Sequence, residues 1–247
     1  MGQVGAARAA ALGEVIFGAL GDIHGNFAAL ARIIERHQEI PFWLCVGDVA
    51  NAAGEYPAPA APVYFIKGNN ENFDAIAAND FAPHLHFIAN AQALRVGDVS
   101  VAGLGGTFAP TWYQTAAAAL PHPKKGSARA TGLADKRRHF VREEVDACRS
   151  MQGIDLLLTH EAPTPFWVEL PSSTGSSRRW RRDVGKRPIT DVADALQPRL
   201  HLFGHHHTQA SFTRAGVPTV CADRVNRSYL LVDSSTFEWE LRTTHES

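Results

Sequence analysis

The side chains in this sequence that are suited to holding a metal ion recur at one kind of place, the turn that ends an apolar run. Asp22 and His24 follow Val15-Ile16-Phe17-Gly18-Ala19-Leu20, and Asp48 follows Phe42–Val46. Asn69 follows Val63–Lys67, His160 follows Ile154–Leu158, and His205 and His207 follow Leu200–Phe203. Asp22 and His24 are two residues apart in a glycine-flanked turn, so both can face one ion. His205 and His207 have the same relation, with His206 turned elsewhere. Two divalent ions about 3.5–4 Å apart can activate a water and neutralise charge on a phosphoryl group, provided that a shared carboxylate offsets their repulsion. A set of imidazole, carboxylate and amide oxygen suits manganese, iron or zinc better than calcium. No thiol is among the candidates, which argues against a structural zinc finger.

Taken singly, each residue has a plainer role. An Asp after a glycine is often a turn former or helix cap, an Asn can occupy a left-handed turn, and His160 could be a satisfied core histidine. Five such turns in one chain, each after an apolar run, favour the metal reading.

The elements that would position them can be read from periodicity. Residues 14–20, 42–46 and 63–67 read as buried strands, and 26–38 as an amphipathic helix through Phe27, Leu30, Ile33 and Ile34. Phe73–Ala78 reads as a short helix. Strand and helix alternate here, which implies parallel strands, and ligands of open α/β sheets lie at the carboxyl ends of such strands. The middle reads as short strands at 86–88, 93–96 and 99–104, then irregular chain over 116–132 and a long helix over 133–149. A strand at 154–158, a polar basic loop at 171–187, a helix at 189–196 and a strand at 200–203 follow. Closing antiparallel strands are expected near 211–213, 219–221, 229–232 and 237–242. Residues 1–13 read as a flexible terminus and 14–247 as a single domain.

Bulk properties narrow the class. Of the 247 residues, 45% are hydrophobic and 20% charged, ordinary for a globular chain. The net charge of -1 argues against a polyanion binder acting through its whole surface. No apolar run reaches the ~20 residues of a membrane span. Cys45, Cys148 and Cys221 are odd in number and scattered, which fits buried thiols in a reducing, cytoplasmic setting.

The order Asp22-x-His24-Gly25, Gly47-Asp48, Gly68-Asn69-x-Glu71, His160 and Gly204-His205-x-His207 resembles the signature of calcineurin-like metallophosphoesterases. The resemblance implies an α/β four-layer sandwich, two mixed β-sheets flanked by helices. It implies a first metal on Asp22, His24 and His207, a bridging Asp48, and a second metal on Asn69, His160 and His205. The nucleophile would be a bridging hydroxide, with His24, Asp48 and Asn70 taking part in catalysis. The chain departs from the family at Asn70, where most members carry a histidine that contacts the phosphate. An amide can donate a hydrogen bond but cannot deliver a proton near neutral pH.

A narrower resemblance runs through Leu94-Arg95-Val96-Gly97, Val101–Thr107, Arg137-Arg138-His139-Phe140 and Leu158–Pro163, and is similar to the RNA lariat-debranching branch. It favours a phosphodiester and makes nucleic acid a further partner class beside a phosphorylated small molecule or nucleotide. His24, Asn70 and His139 are the candidates for touching substrate. His139 otherwise reads as a surface residue on the 133–149 helix. Phe108, Trp112 and Tyr113 fit either a substrate pocket or the core. Two rival readings are a scaffold of this fold without turnover and a nuclease that grips its substrate through Arg178–Arg187 and Trp180.

Overall fold

The computed structural model describes residues 15–123, 134–170 and 180–245. Two six-stranded sheets account for most of them. The first runs β14(Trp239–Thr243), β13(Ser228–Asp233), β1(Ile16–Leu20), β2(Trp43–Cys45), β3(Val63–Phe65), β4(Leu85–Phe87). The second runs β11(Ala210–Arg214), β12(Val217–Cys221), β10(Leu200–Phe203), β7(Leu156–Thr159), β6(Val99–Leu104), β5(Ala93–Val96). Both are mixed. β1 to β4 are parallel, with β13 antiparallel to β1 and β14 antiparallel to β13. β12, β10, β7 and β6 are parallel, with β11 and β5 antiparallel at the edges.

The layering follows from strand alternation, because successive side chains point to opposite faces. Phe17, Leu44, Leu230 and Val232 from one sheet meet Val99, Val101, Leu156, Leu158, Leu200 and Leu202 from the other in a central core. The alternate residues face outward. Leu20, Trp43, Cys45, Val63 and Phe65 pack under α1(Phe27–Arg36) through Leu30, Ile33 and Ile34. Ala102, Leu104 and Leu157 pack under α3(Arg142–Arg149) and α4(Arg187–Leu196). The result is helix, sheet, sheet, helix, the expected four-layer sandwich. A short α2(Phe73–Ala78) follows β3, capped by the Asn72 side chain on Ala75 N–H.

Three expectations are corrected. The helix expected over 133–149 begins only at Arg142. Residues 136–138 form a 3-10 turn and 139–141 are extended. Phe140 and Val141 are adjacent and both fully buried, an extended pattern, and only Val145 and Cys148 make a helical stripe. His139 is therefore not on a solvated helix face. It is half-buried, and its Nδ1 lies 3.0 Å from Thr107 Oγ1.

The second correction concerns the basic loop expected over 171–187. Trp180–Asp183 is β9, paired with β8(Trp167–Leu170), and α4 already begins at Arg187. Alternating backbone pairing overrode a polar composition. The third is that the edge strand Leu85–Phe87 starts one residue before the apolar run suggested. The expected flexible start at 1–13, most of the irregular stretch beyond 123 and residues 171–179 of the basic loop lie outside the described residues.

Candidate metal centre

Five parallel strands, β1, β2, β3, β7 and β10, end at the same rim, and each hands the chain to one of the five turns. The turns are tight. His24, Asp48, His205 and His207 all have positive φ, four of the nine non-glycine residues in that state among those described. Such backbone is strained and persists where surroundings impose it, commonly at functional sites. Close approach also demands glycine beside them. A Cβ on Gly68 would overlap Asp48 Oδ1, and one on Gly204 would overlap Asp22 Oδ1.

The donors converge. His207 Nε2 lies 2.9 Å from Asp22 Oδ2 and 2.9 Å from His24 Nε2. Asp48 Oδ2 lies 3.5 Å from His24 Nε2 and 3.6 Å from His160 Nε2. Asn69 Oδ1 lies 3.1 Å from His160 Nε2. Two groups result, Asp22 with His24 and His207, and Asp22 with Asp48 and His160. His205 sits against the second, its ring 4.9 Å from that of His160, and its backbone N–H donates to Asp22 Oδ1 at 3.1 Å. Asp22, Asp48, Asn69 and His160 form a buried floor, while His24, His205 and His207 are half-exposed. His206 faces away, packed on Phe166.

This arrangement fits a cation. His160 Nδ1 faces the Val46 carbonyl at 2.8 Å and must donate to it, so Nε2 presents a lone pair. That lone pair faces the Asn69 oxygen, and Asp22 Oδ2 is buried with no hydrogen-bond donor among the described residues. Acceptors turned on one another are unfavourable unless something positive lies between them. Electrostatics agree. Burial opposes charge on Asp22, yet His207, His24, His160 and the His205 N–H hold its carboxyl far below the ordinary range. Asp22 in turn raises the His24 pKa. Burial, reinforced by the neighbouring His160, pushes His205 down to about 3, so it stays neutral as a ligand must.

Behind the floor lie residues whose roles the sequence did not disclose. Asn70 is exposed but directs its donors inward, its N–H to Asp48 Oδ1 at 2.7 Å and Nδ2 to Asp48 Oδ2 at 2.8 Å. Glu71 is buried and accepts from Val49, Ala50 and Gly68 N–H and from the Tyr56 hydroxyl. One carboxylate thereby ties the turn after β2 to the turn after β3. Lys67 Nζ donates to the Arg137 and His139 carbonyls, fastening residues 137–139 beside the rim. Two charges at the end of one apolar run, Lys67 in 63–67 and Glu71 just beyond it, were the available signal. Phe108 and Tyr113 pack with Phe140 on the core beneath α3 and α4, which resolves their alternative readings.

The calcineurin-like phosphoesterase family model matches residues 16–209, which contain every candidate ligand. The chain belongs to the calcineurin-like phosphoesterases. Its chemistry is therefore metal-dependent hydrolysis of phosphate esters, with divalent ions as cofactors and phosphorylated molecules as substrates. No curated protein matches the chain significantly. Among solved structures, a Thermus thermophilus protein superposes with a TM-score of 0.59 at 12% identity, covering 94% of this chain and 100% of that one. A proposed 5′-nucleotidase from Staphylococcus aureus, solved with α-ketoglutarate, gives a TM-score of 0.52 at 13% identity over 93% of this chain and 53% of that one. At such identities the likeness is one of fold. No helix among the described residues is long and apolar enough to cross a membrane.

Proposed function

We propose that this phosphoesterase hydrolyses a phosphodiester at a two-metal centre held by Asp22, His24, Asp48, Asn69, His160, His205 and His207. The observation that carries this is the convergence of carboxylate, amide and imidazole donors on one rim, with Asp48 reaching both groups. Divalent ions bound there supply Lewis acidity toward the phosphoryl group and a water of lowered pKa. Asp48, within 3.6 Å of both His24 and His160, would be the carboxylate shared between the two ions. Asn70 keeps the Asp48 carboxylate oriented through two hydrogen bonds. His24 stands at the open side, where it can face the phosphate.

The diester preference rests on residue 70. An amide there can neither donate a proton to a leaving alkoxide nor accept one, so esters that need such help react slowly. His139 offers no ready substitute. Burial first, then nearby Arg138, Lys136 and Lys67, depresses its pKa to about 4, and its Nδ1 is engaged by Thr107. The donor set suits manganese or iron, with zinc a third candidate. Three buried free thiols fit a cytoplasmic setting. The test is to reconstitute the protein with manganese, measure bound metal, and assay chromogenic phosphodiester and phosphomonoester side by side. Bound metal with faster diester turnover is expected. A protein that binds no metal and turns over neither ester defeats the proposal and favours the scaffold reading.

A further inference from the structure

Four arginines are half-buried among the described residues: Arg137, Arg138, Arg214 and Arg224. Two have carboxylate partners, Arg137 with Asp135 and Asp74, and Arg214 with Asp194. Arg138 and Arg224 have no carboxylate within 4.0 Å among the described residues, and the Nε of each is shielded from solvent without an acceptor. A guanidinium partly withdrawn from water is unfavourable unless an anion compensates it. Exposed arginines such as Arg142, Arg187 and Arg242 nonetheless have their partners. The two unpaired ones are both at the metal centre.

Their placement follows from the topology. The candidate ligands come from β1, β2 and β3 in one sheet and from β10 and β7 in the other. Arg224 lies on the connection from β12 to β13, the strands flanking that row on one side. Val225 N–H donates to the Asp22 carbonyl, and a Cβ on Gly21 would overlap the Asp223 carbonyl, so this connection presses on the Asp22–His24 turn. Arg138 lies on the other side, beyond β7. Its carbonyl accepts from Thr107 N–H at the end of β6, and Lys67 grips the carbonyls on either side of it. Arg138 is near enough to Asp48, and Arg224 to His24, for their charges to be felt. The two guanidiniums bracket the row of donors.

Cations beside a metal site raise a positive potential that only a bound anion relieves. Two divalent ions would already outweigh the charges of Asp22 and Asp48. We propose that Arg138 and Arg224 bind the phosphoryl oxygens of the substrate from the two flanks of the centre. Guanidinium suits this task through its planar fork of donors. The pair also provides what Asn70 does not, since Asn70 has its donors on Asp48. This inference rests on the phosphodiesterase reading above.

The test uses manganese-loaded protein and two probes, inorganic phosphate as competitor and bis(p-nitrophenyl) phosphate as substrate. Arg138→Gln and Arg224→Gln should each weaken phosphate binding by about tenfold, with bound metal and Tm unchanged, and should raise KM more than they lower kcat. Arg138→Lys should recover only part of the affinity, because it keeps the charge and loses the fork. Arg142→Gln, on the solvent face of α3, should leave phosphate affinity as it was. Wild-type turnover with unchanged phosphate affinity in both glutamine variants overturns this inference and leaves the diesterase reading standing. A wild type that binds metal but neither phosphate nor diester removes both.

Discussion

The sheet containing β1 brings Asp22, Asp48 and Asn69 to the centre, with His24 as its one imidazole, whereas the sheet containing β10 brings only His160, His205 and His207. The two sides meet opposite demands. Buried carboxylates must remain charged, and backbone and amide donors serve them: Asn70 on Asp48 from the same sheet, and the His205 N–H on Asp22 from the other. Imidazoles must remain neutral to ligate, and the second sheet keeps His205 so by burial and fixes the His160 tautomer with a backbone carbonyl. One side is built from many hydrogen bonds and the other from few. Damage to the first should therefore spread through a network, and damage to the second should stay local.

The largest effect is expected at Asp48. Asp48→Asn removes the carboxylate charge that faces both His24 and His160 and should lower kcat by more than about 1,000-fold with loss of at least one metal, measured by turnover and metal analysis. Near-normal activity would rule out a bridge there. Glu71 comes next. Glu71→Ala leaves three backbone N–H groups and the Tyr56 hydroxyl unpaired, and should destabilise the fold by about 3 kcal/mol, a Tm loss of roughly 6–12 °C in a chain of this size. An unchanged Tm would show that the two turns hold together without it.

A smaller effect tests the imidazole side away from the centre. His201 is fully buried and its Nδ1 has no partner among the described residues, so burial depresses its pKa from 6.5 to about 3. The folded state keeps it neutral, and between these values the unfolded chain binds more protons. This contribution is intact above pH 6.5 and is lost as pH falls, by about 2 kcal/mol from pH 7 to pH 5. Denaturant unfolding at both pH values should show that slope, and His201→Gln should flatten it; equal slopes in the two proteins would exclude His201 as its source. The smallest effect is expected at Asn70. Asn70→His should raise the monoester-to-diester rate ratio by a few-fold, read with paired chromogenic substrates. A constant ratio would mean that residue 70 does not set the preference.

Much of this was legible along the chain because strands and turns are local. Short, continuous apolar runs at Phe17–Leu20, Trp43–Cys45 and Leu156–Leu158 marked the strands, and each turn's metal-binding residue stood shortly after one. The segment 136–141 misled because its backbone hydrogen bonds go to Lys67 and Thr107, residues distant in sequence, and a helical spacing of apolar residues carries no trace of that. Strand β9 was hidden for the same reason. Arg181 and Arg182 are polar and exposed, and only pairing with β8 makes their stretch a strand.

The sequence by itself determined the kinds of donor, their order and their attachment to strand ends, since those depend on residue type and on spacings of a few residues. Tertiary structure decided what the donors meet. It set Asp48 between His24 and His160, turned Asn70 back onto Asp48, made Glu71 the link between two turns, and left Arg138 and Arg224 without carboxylates beside the rim. Each of those relations joins segments that only the closing of two sheets on one another brings within hydrogen-bonding or Coulomb range, and no local pattern encodes that distance.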